Sequence, residues 1–390
     1  MTSPVRALFL GKSSKTVEKQ DKNKKIAIYL GEYVYGGDWD ERNLEKGRIG
    51  GSEIWAIELA KEFVRRGYEV YVFASPMTDH VSESGVHYVK WDKFREYCFN
   101  LGFDHILTSR RVDEIDDDLP CDSIYLMCHD TVVINAARYE DLKLDTKVKK
   151  ICAQSYYQQY MLQYNYDIPD EKFMTTSEGI DLKRYRGAAT IKKKNKMLWS
   201  SGVGRGIIWL VERVLPLIRA EVPDFEIDIC GYYDDYMEPL FRQPGINVMG
   251  NVAKEDLVRL QKESKIWIYP NHGLNSEKKP NEETFSITAI ENGVARNALI
   301  LSDWGCWYTT LKGYEGFVGN GLFENPIMPM DEQYWDVYAD IIARRAIKCL
   351  TNETYRKKLA DSAYEVSKKY TWAYAADSFE KEWKLEKIEK

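Results

Sequence analysis

No two of the seven cysteines form a C-x-x-C pair and the five histidines are scattered, so the spacing that builds a structural zinc site is missing. Cys98, Cys121, Cys128, Cys152, Cys230, Cys306 and Cys349 are dispersed, odd in number and mostly set in apolar runs, which reads as reduced core residues. An apolar run long enough to cross a bilayer is also missing, and Val5 to Leu10 is too short for the core of a signal peptide. A basic surplus is lacking too: 55 Lys and Arg stand against 61 Asp and Glu, a net charge of −6, which gives no electrostatic case for a nucleic-acid partner. Together these absences point to the cytoplasm, with peripheral attachment to a membrane surface left open. The local basic run Lys192 to Lys194 with Lys196 reads first as a solvated linker and second as a contact for phosphate or anionic lipid.

What is present is an ordinary globular composition, 44% hydrophobic and 30% charged, over 390 residues, more than one core usually serves. The opening 23 residues, rich in Lys, Ser and Thr, read as an extension or a loosely attached strand. Strands are then expected at 25–30, 69–74, 86–89, 105–108, 124–128 and 150–152, with an amphipathic helix over Ile54 to Arg66. A second unit of the same style follows the basic stretch 188–196, with strands at 197–200, 225–230, 266–269 and 298–302 and helices at 208–220 and 254–264. Strands alternating with helices imply two doubly wound parallel α/β units facing a cleft. We assign 1–188 to the first domain and 189–371 to the second, with a last helix, 372–390, packing back across both.

In open α/β sheets ligands lie beyond the carboxyl ends of strands, which singles out four places. Ser200-Ser201-Gly202-Val203-Gly204-Arg205-Gly206 is a Gly-rich turn between strand and helix; its amides can approach a phosphate and Arg205 adds a planar charged fork. It reads equally as a tight structural turn, and Ile207 in the third glycine position excludes a dinucleotide fingerprint. Asn281 to Asp303 places Glu283 and Glu291 eight residues apart, roughly 12 Å if both stand at the ends of one helix, whose free N–H groups could face an anion. The plainer reading is a first-turn Glu complementing the helix dipole and a second on a solvated face. Gly50-Gly51-Ser52-Glu53 opens the first helix and permits close ligand approach, or simply joins loop to helix. His129-Asp130 follows an apolar strand and suits hydroxyl binding or proton handling, where a structural His is the commoner case.

In this order and spacing the pieces resemble the retaining glycosyltransferases of family 4, over nearly the whole chain. The matching segments are GGSE at 50–53, SYYQQY at 155–160, EGIDLKRY at 178–185, SSGVGRGI at 200–207, YP at 269–270 and ETFSITAIE at 283–291, the last being similar to the family's E-x7-E signature. The resemblance implies a GT-B fold in which the second domain binds a UDP- or GDP-sugar and the first, with Gly50 and Gly51, the acceptor. By that likeness Glu283 contacts the transferred sugar and Glu291 the ribose. The amides of Phe285, Ser286, Ile287 and Thr288 with Arg205, Ser201, Gly202 and Gly204 neutralise the diphosphate, and His129 sits by the sugar. Gly250 to Val252 and Tyr232-Tyr233 are the variable positions that would meet the base. No metal or other cofactor is implied, because a helix N-terminus and a guanidinium can stabilise the leaving group. The acceptor would be an oligosaccharide or a lipid-linked or protein-linked glycan.

Three positions depart from that pattern: Ser200 is not basic, Ser286 stands where many members have Gly, and Glu178 where many have Asn. Asp38-Trp39-Asp40 and Asp116 to Asp118 offer a competing reading, since transferases of the other main fold hold a divalent ion through an Asp-x-Asp pair. A sugar-nucleotide epimerase or phosphorylase of similar build competes with it as well, and so does a non-catalytic module that binds a nucleotide sugar or glycan.

Overall fold

The computed structural model describes residues 24–33, 37–44, 49–202, 204–231, 238–270, 283–301, 305–317 and 335–389. The expectations for the opening 23 residues, for Tyr232-Tyr233 and for Val203 therefore lie outside the described residues. The first unit comprises β1 (Lys25–Tyr29), α1 (Gly51–Arg65), β2 (Glu69–Ala74), β3 (His80–Val81), β4 (His87–Lys90), α2 (Phe94–Leu101), β5 (His105–Ser109), β6 (Ile124–Met127), β7 (Val148–Ala153), α3 (Tyr156–Tyr166) and β8 (Phe173–Thr175). Its strands run β3-β4-β2-β1-β5-β6-β7-β8, parallel except where β3 meets β4. β1 and β6 are almost wholly buried apolar runs, as a parallel sheet covered on both faces requires.

The second unit comprises β9 (Lys196–Ser200), α4 (Ile207–Trp209), α5 (Leu215–Glu221), β10 (Glu226–Cys230), α6 (Glu238–Phe241), β11 (Ile246–Gly250), α7 (Lys254–Glu263), β12 (Ile266–Tyr269), α8 (Ile287–Val294), β13 (Ala298–Leu301) and α9 (Trp307–Thr310). Its sheet order is β11-β10-β9-β12-β13, all parallel. The single helix expected over 208–220 is interrupted by a π-helical turn at Leu210–Val214. Pro216 explains it, because a proline has no N–H to continue the helical ladder behind it.

Three helices follow: α10 (Trp335–Thr351), α11 (Glu353–Ser367) and α12 (Trp372–Glu389). α12 crosses back to the first unit as the sequence implied. Ala375, Ala376, Phe379 and Trp383 bury themselves against Trp55, Ala56 and Phe63 of α1. Trp383 also stacks on His105 at 3.9 Å, and Arg66 at the end of α1 reaches Glu380 at 2.7 Å and Asp377 at 2.8 Å. The return is seated by a backbone pairing of Ile180 with Thr371, and a Cβ on the neighbouring Gly179 would stand 2.4 Å from the Trp372 nitrogen. Only glycine lets the two backbone segments approach so closely.

The basic run is solvated only in part, at Lys193 and Lys194, and each of its lysines has a partner. Lys192 is partly buried and donates to Ala295 O and Asn297 Oδ1, both at 2.6 Å, and to Gln261 O at 3.3 Å. Lys193 pairs with Glu263 at 2.8 Å, Lys194 with Asp224 at 3.1 Å, and Lys196 with the buried Asp228 at 2.8 Å. The run staples β9 to its surroundings. Burial, with a smaller push from the Arg356 guanidinium, brings the Lys192 amine down to about 6. The unfolded chain, with an ordinary lysine value of about 10.4, binds more protons between these values, so this group makes the fold more stable as pH rises from about 6 towards about 10. The stability of the wild type relative to Lys192→Met, measured by urea unfolding, is therefore expected to rise from pH 7 to pH 9; a constant or falling difference would contradict the assignment.

Candidate functional site

The residues singled out by sequence gather at the carboxyl edges of both sheets. Glu283 is not at a helix end: α8 begins at Ile287, four residues later, so the helical separation of roughly 12 Å from Glu291 does not apply. The reason is Ser286, which sits at φ 62° in the left-handed region and turns the chain into the helix. A glycine would hold that conformation with less strain.

Glu283 is fixed by three strand ends. Its carbonyl accepts from the Cys306 N–H at 3.1 Å just beyond β13. Its Oε1 accepts from Tyr269 Oη at 2.6 Å, at the end of β12, and from Arg205 Nη1 at 2.7 Å, in the turn after β9. Ser201 Oγ donates in turn to Tyr269 Oη at 3.4 Å. Burial works against the charge on Arg205, but the Glu283 carboxylate together with Tyr269 and Asp130 outweighs it and holds the guanidinium protonated. Burial, reinforced by the Glu283 charge, pushes the Tyr269 phenol far up, so it remains a donor. Tyr269 is the member of this cluster that sequence reasoning left without a role; its place at the end of an apolar strand was the available signal.

Around the cluster the backbone is open. A Cβ on Gly202 or Gly204 would meet no heavy atom within 4 Å. The first amides of α8, those of Ile287 and Thr288, make no hydrogen bond with described residues, whereas the next two, on Ala289 and Ile290, turn back to Ser286 O. The side chains of Phe285 and Ile287 are engaged in packing: Phe285 lies edge-on to Tyr370 at 5.2 Å and Ile287 packs against the cores of both units. Ser200, where a second basic residue was looked for, is buried and accepts from Trp267 Nε1 at 3.1 Å.

His129 faces this arrangement from the first unit. Thr284 Oγ1, next to Glu283, donates to His129 O at 2.8 Å and joins the two sides. The imidazole is buried, lies edge-on to Trp55 at 5.2 Å, and has no hydrogen bond at either ring nitrogen with the described residues. Its Nδ1 stands 3.6 Å from Glu178 Oε1, which accepts from Gln154 Nε2 at 3.2 Å. Asp130 is exposed and paired with Arg110 at 2.9 Å, and its charge reaches Arg205.

Glu291 lies apart from Glu283 and is already engaged. Oε1 pairs with Lys254 at the start of α7, and Oε2 accepts from Gln261 at 3.0 Å. Lys254, Glu291, Ile287 and Tyr185 line a crevice of about 30 Å³, room for about one water. Gly250 ends β11 at φ 64° and Val252 follows it, partly buried, in the turn leading to α7.

In the first unit α1 starts at Gly51, not Ile54, with Gly50 as its cap. Glu53 folds back over that start, its Oε2 lying 2.6 Å from where a Cβ on Gly50 would be, while Ser52 Oγ donates to its Oε1 at 3.0 Å. A carboxylate at this helix start repels phosphate. Nearby, beyond β1, β2 and β4, Tyr33, Asp38, Trp91 and Asp92 help to line a cavity of about 330 Å³.

The acidic pairs weighed as metal ligands have other partners. Asp40 caps a short turn and pairs with Arg42, with a 2.9 Å bond from Nε, and Asp116 and Asp118 are bound by Arg95 at 3.0 and 2.9 Å. Among the described residues no three His, Cys, Asp or Glu groups converge as metal ligands, and no helix is long and apolar enough to cross a membrane.

No protein-family model matches the sequence, and no curated protein matches it. Solved structures match the fold at low identity. A glycosyltransferase from Rickettsia africae superimposes with a TM-score of 0.67 at 16% identity, covering 93% of this chain and 98% of that one. Sucrose-phosphate synthase from Thermosynechococcus elongatus gives 0.67 at 13% identity, over 94% and 100%. HepE of Anabaena in complex with UDP gives 0.62 at 12%, over 94% and 99%. These structures share two Rossmann-like units, and the chain has that GT-B fold.

Proposed function

We propose that the chain is a retaining glycosyltransferase, moving a hexose or pentose from a UDP- or GDP-linked donor to an oligosaccharide, lipid-linked or protein-linked glycan without a metal ion. The observation that carries this is the convergence of Arg205, Tyr269 and Glu283 just before the open amides of α8, with the imidazole of His129, beside Glu178, across the joint. The fold shared with HepE, whose structure holds UDP, supports it. We assign 189–371 to donor binding and 1–188, with the helix 372–390, to the acceptor.

In this reading Arg205 and Glu283 neutralise each other until the donor enters. The diphosphate then takes over the guanidinium and the amides of Ile287, Thr288, Gly202 and Gly204, while hydroxyls of the sugar donate to Glu283. Negative charge building on the leaving diphosphate meets donors already in place, which lowers the barrier without solvent reorganisation. Lys254 supplies a second cation, which Ser200 does not, and donor binding loosens it from Glu291, whose carboxylate then takes the ribose. His129 sits by the transferred sugar, and the acceptor attacks the same face that the diphosphate leaves. The protein acts in the cytoplasm.

A second reading, a non-catalytic binding module on the same fold, is favoured only by the neutral, fully engaged Ser200. A thermal-shift panel of UDP-, GDP- and ADP-sugars, followed by detection of released nucleotide in EDTA, separates the two. Stabilisation by one donor with nucleotide release is the expected result. Binding without release across a broad acceptor set would favour the module, and no stabilisation by any donor would overturn both.

A further inference from the structure

The helix α3 presents three tyrosines to solvent at four-residue steps: Tyr156, Tyr160 and Tyr164 are 75%, 62% and 75% exposed. Four residues advance a helix by roughly 6 Å and return to nearly the same face, so the rings form one stripe. The opposite face is spent on the fold, with Gln158, Leu162 and Tyr166 buried. Leaving three large rings in water along one face is unusual for a surface that meets nothing.

The chemistry of the stripe narrows its occupant. The eleven residues of α3 include no Lys, Arg, Asp or Glu. An anionic membrane or an acidic polymer needs basic residues, and none is present on this face. The charge beside it has the wrong sign: Gln159 and Gln163 both donate to Asp170 Oδ1, at 3.1 and 2.6 Å. Tyrosine rings with glutamine amides offer flat faces for sugar C–H groups and neutral partners for hydroxyls.

The first turn of α3 lies beside the candidate site. Gln158 Nε2 donates to Cys128 O at 2.9 Å and Asp130 O at 3.0 Å, bracketing His129. At the same end of α3 the Tyr156 N–H donates to Thr309 Oγ1 at 3.3 Å, across to the second unit, where the adjacent Tyr308 is also half exposed.

We infer that the tyrosine face of α3 is a binding track for an uncharged glycan chain running out of the cleft. It rests on the proposed transferase activity only in identifying that glycan as the acceptor. Affinity electrophoresis of the full chain in native gels containing dextran, glucomannan, mixed-linkage β-glucan or alginate tests it, beside sedimentation with anionic phospholipid vesicles. At least one neutral polysaccharide is expected to retard the wild type. Tyr160→Phe should keep that retardation, Tyr160→Ala should weaken it about tenfold, and the combined Tyr156→Ala, Tyr160→Ala, Tyr164→Ala protein should lose it while unfolding at the wild-type temperature. A nucleotide-sugar isotherm, run in parallel, should be unchanged in the triple variant. Retardation that follows the tyrosines while no nucleotide sugar binds would keep the track and remove the transferase reading. Absence of retardation of the wild type by every neutral polysaccharide, equal retardation of the triple variant, or loss of vesicle binding in its place would overturn the track.

Discussion

Arg205→Ala is expected to lower the turnover of nucleotide sugar by about 10²- to 10³-fold, the usual loss when one preorganised charge is removed from a developing oxyanion. The guanidinium is the one cation bound directly to Glu283 among the described residues, and its neutral neighbour Ser200 gives no replacement. Arg205→Lys should recover only part of the loss, because an ammonium cannot present two parallel donors to a diphosphate. Glu283→Ala should fail as completely for a different reason: the acceptor of both Tyr269 and Arg205 disappears, and the pair is left to reorient. Rates of nucleotide release at saturating donor, with thermal unfolding as a control for folding, check both variants. Full activity in either would remove that residue from the site.

Phe379→Ala is expected to cost about 3 to 5 kcal/mol, the largest stability loss among the substitutions considered. Phe379 is fully buried, edge-on to Phe63 of α1 at 6.3 Å and beside Trp383, so truncation opens a cavity between the last helix and the first unit. Tyr374→Ala, on the same helix but half exposed, should cost far less. Urea midpoints of the two variants measure the contrast. A loss below about 1 kcal/mol for Phe379→Ala would mean that α12 is not held by its apolar face.

The sheets were legible where buried strands are nearly continuous apolar runs: KIAIY, EVYVFA and IYLM could hardly be anything else in a layered α/β unit. β11 was missed for the complementary reason. Ile246–Gly250 lies at the edge of its sheet, half exposed, with two polar or glycine positions in five residues. The site was legible as a set of strand ends but not as a geometry. Arg205 and Glu283 are 78 residues apart, and nothing local to either reports that one accepts from the other. Spacing misled where backbone conformation intervened: Ser286 in the left-handed region breaks the helical register between Glu283 and Glu291. Charge counting misled at Lys192, where a run of lysines looks solvated until Ala295 O and Asn297 Oδ1 are seen to take its amine.

If Arg205, Tyr269 and Glu283 form a donor site, a calorimetric isotherm for the stabilising nucleotide sugar should show one site in the wild type and a loss of affinity of at least about tenfold in Arg205→Ala, with unfolding temperatures matched. Equal affinity in the two proteins would contradict the assignment and place the nucleotide elsewhere in the fold.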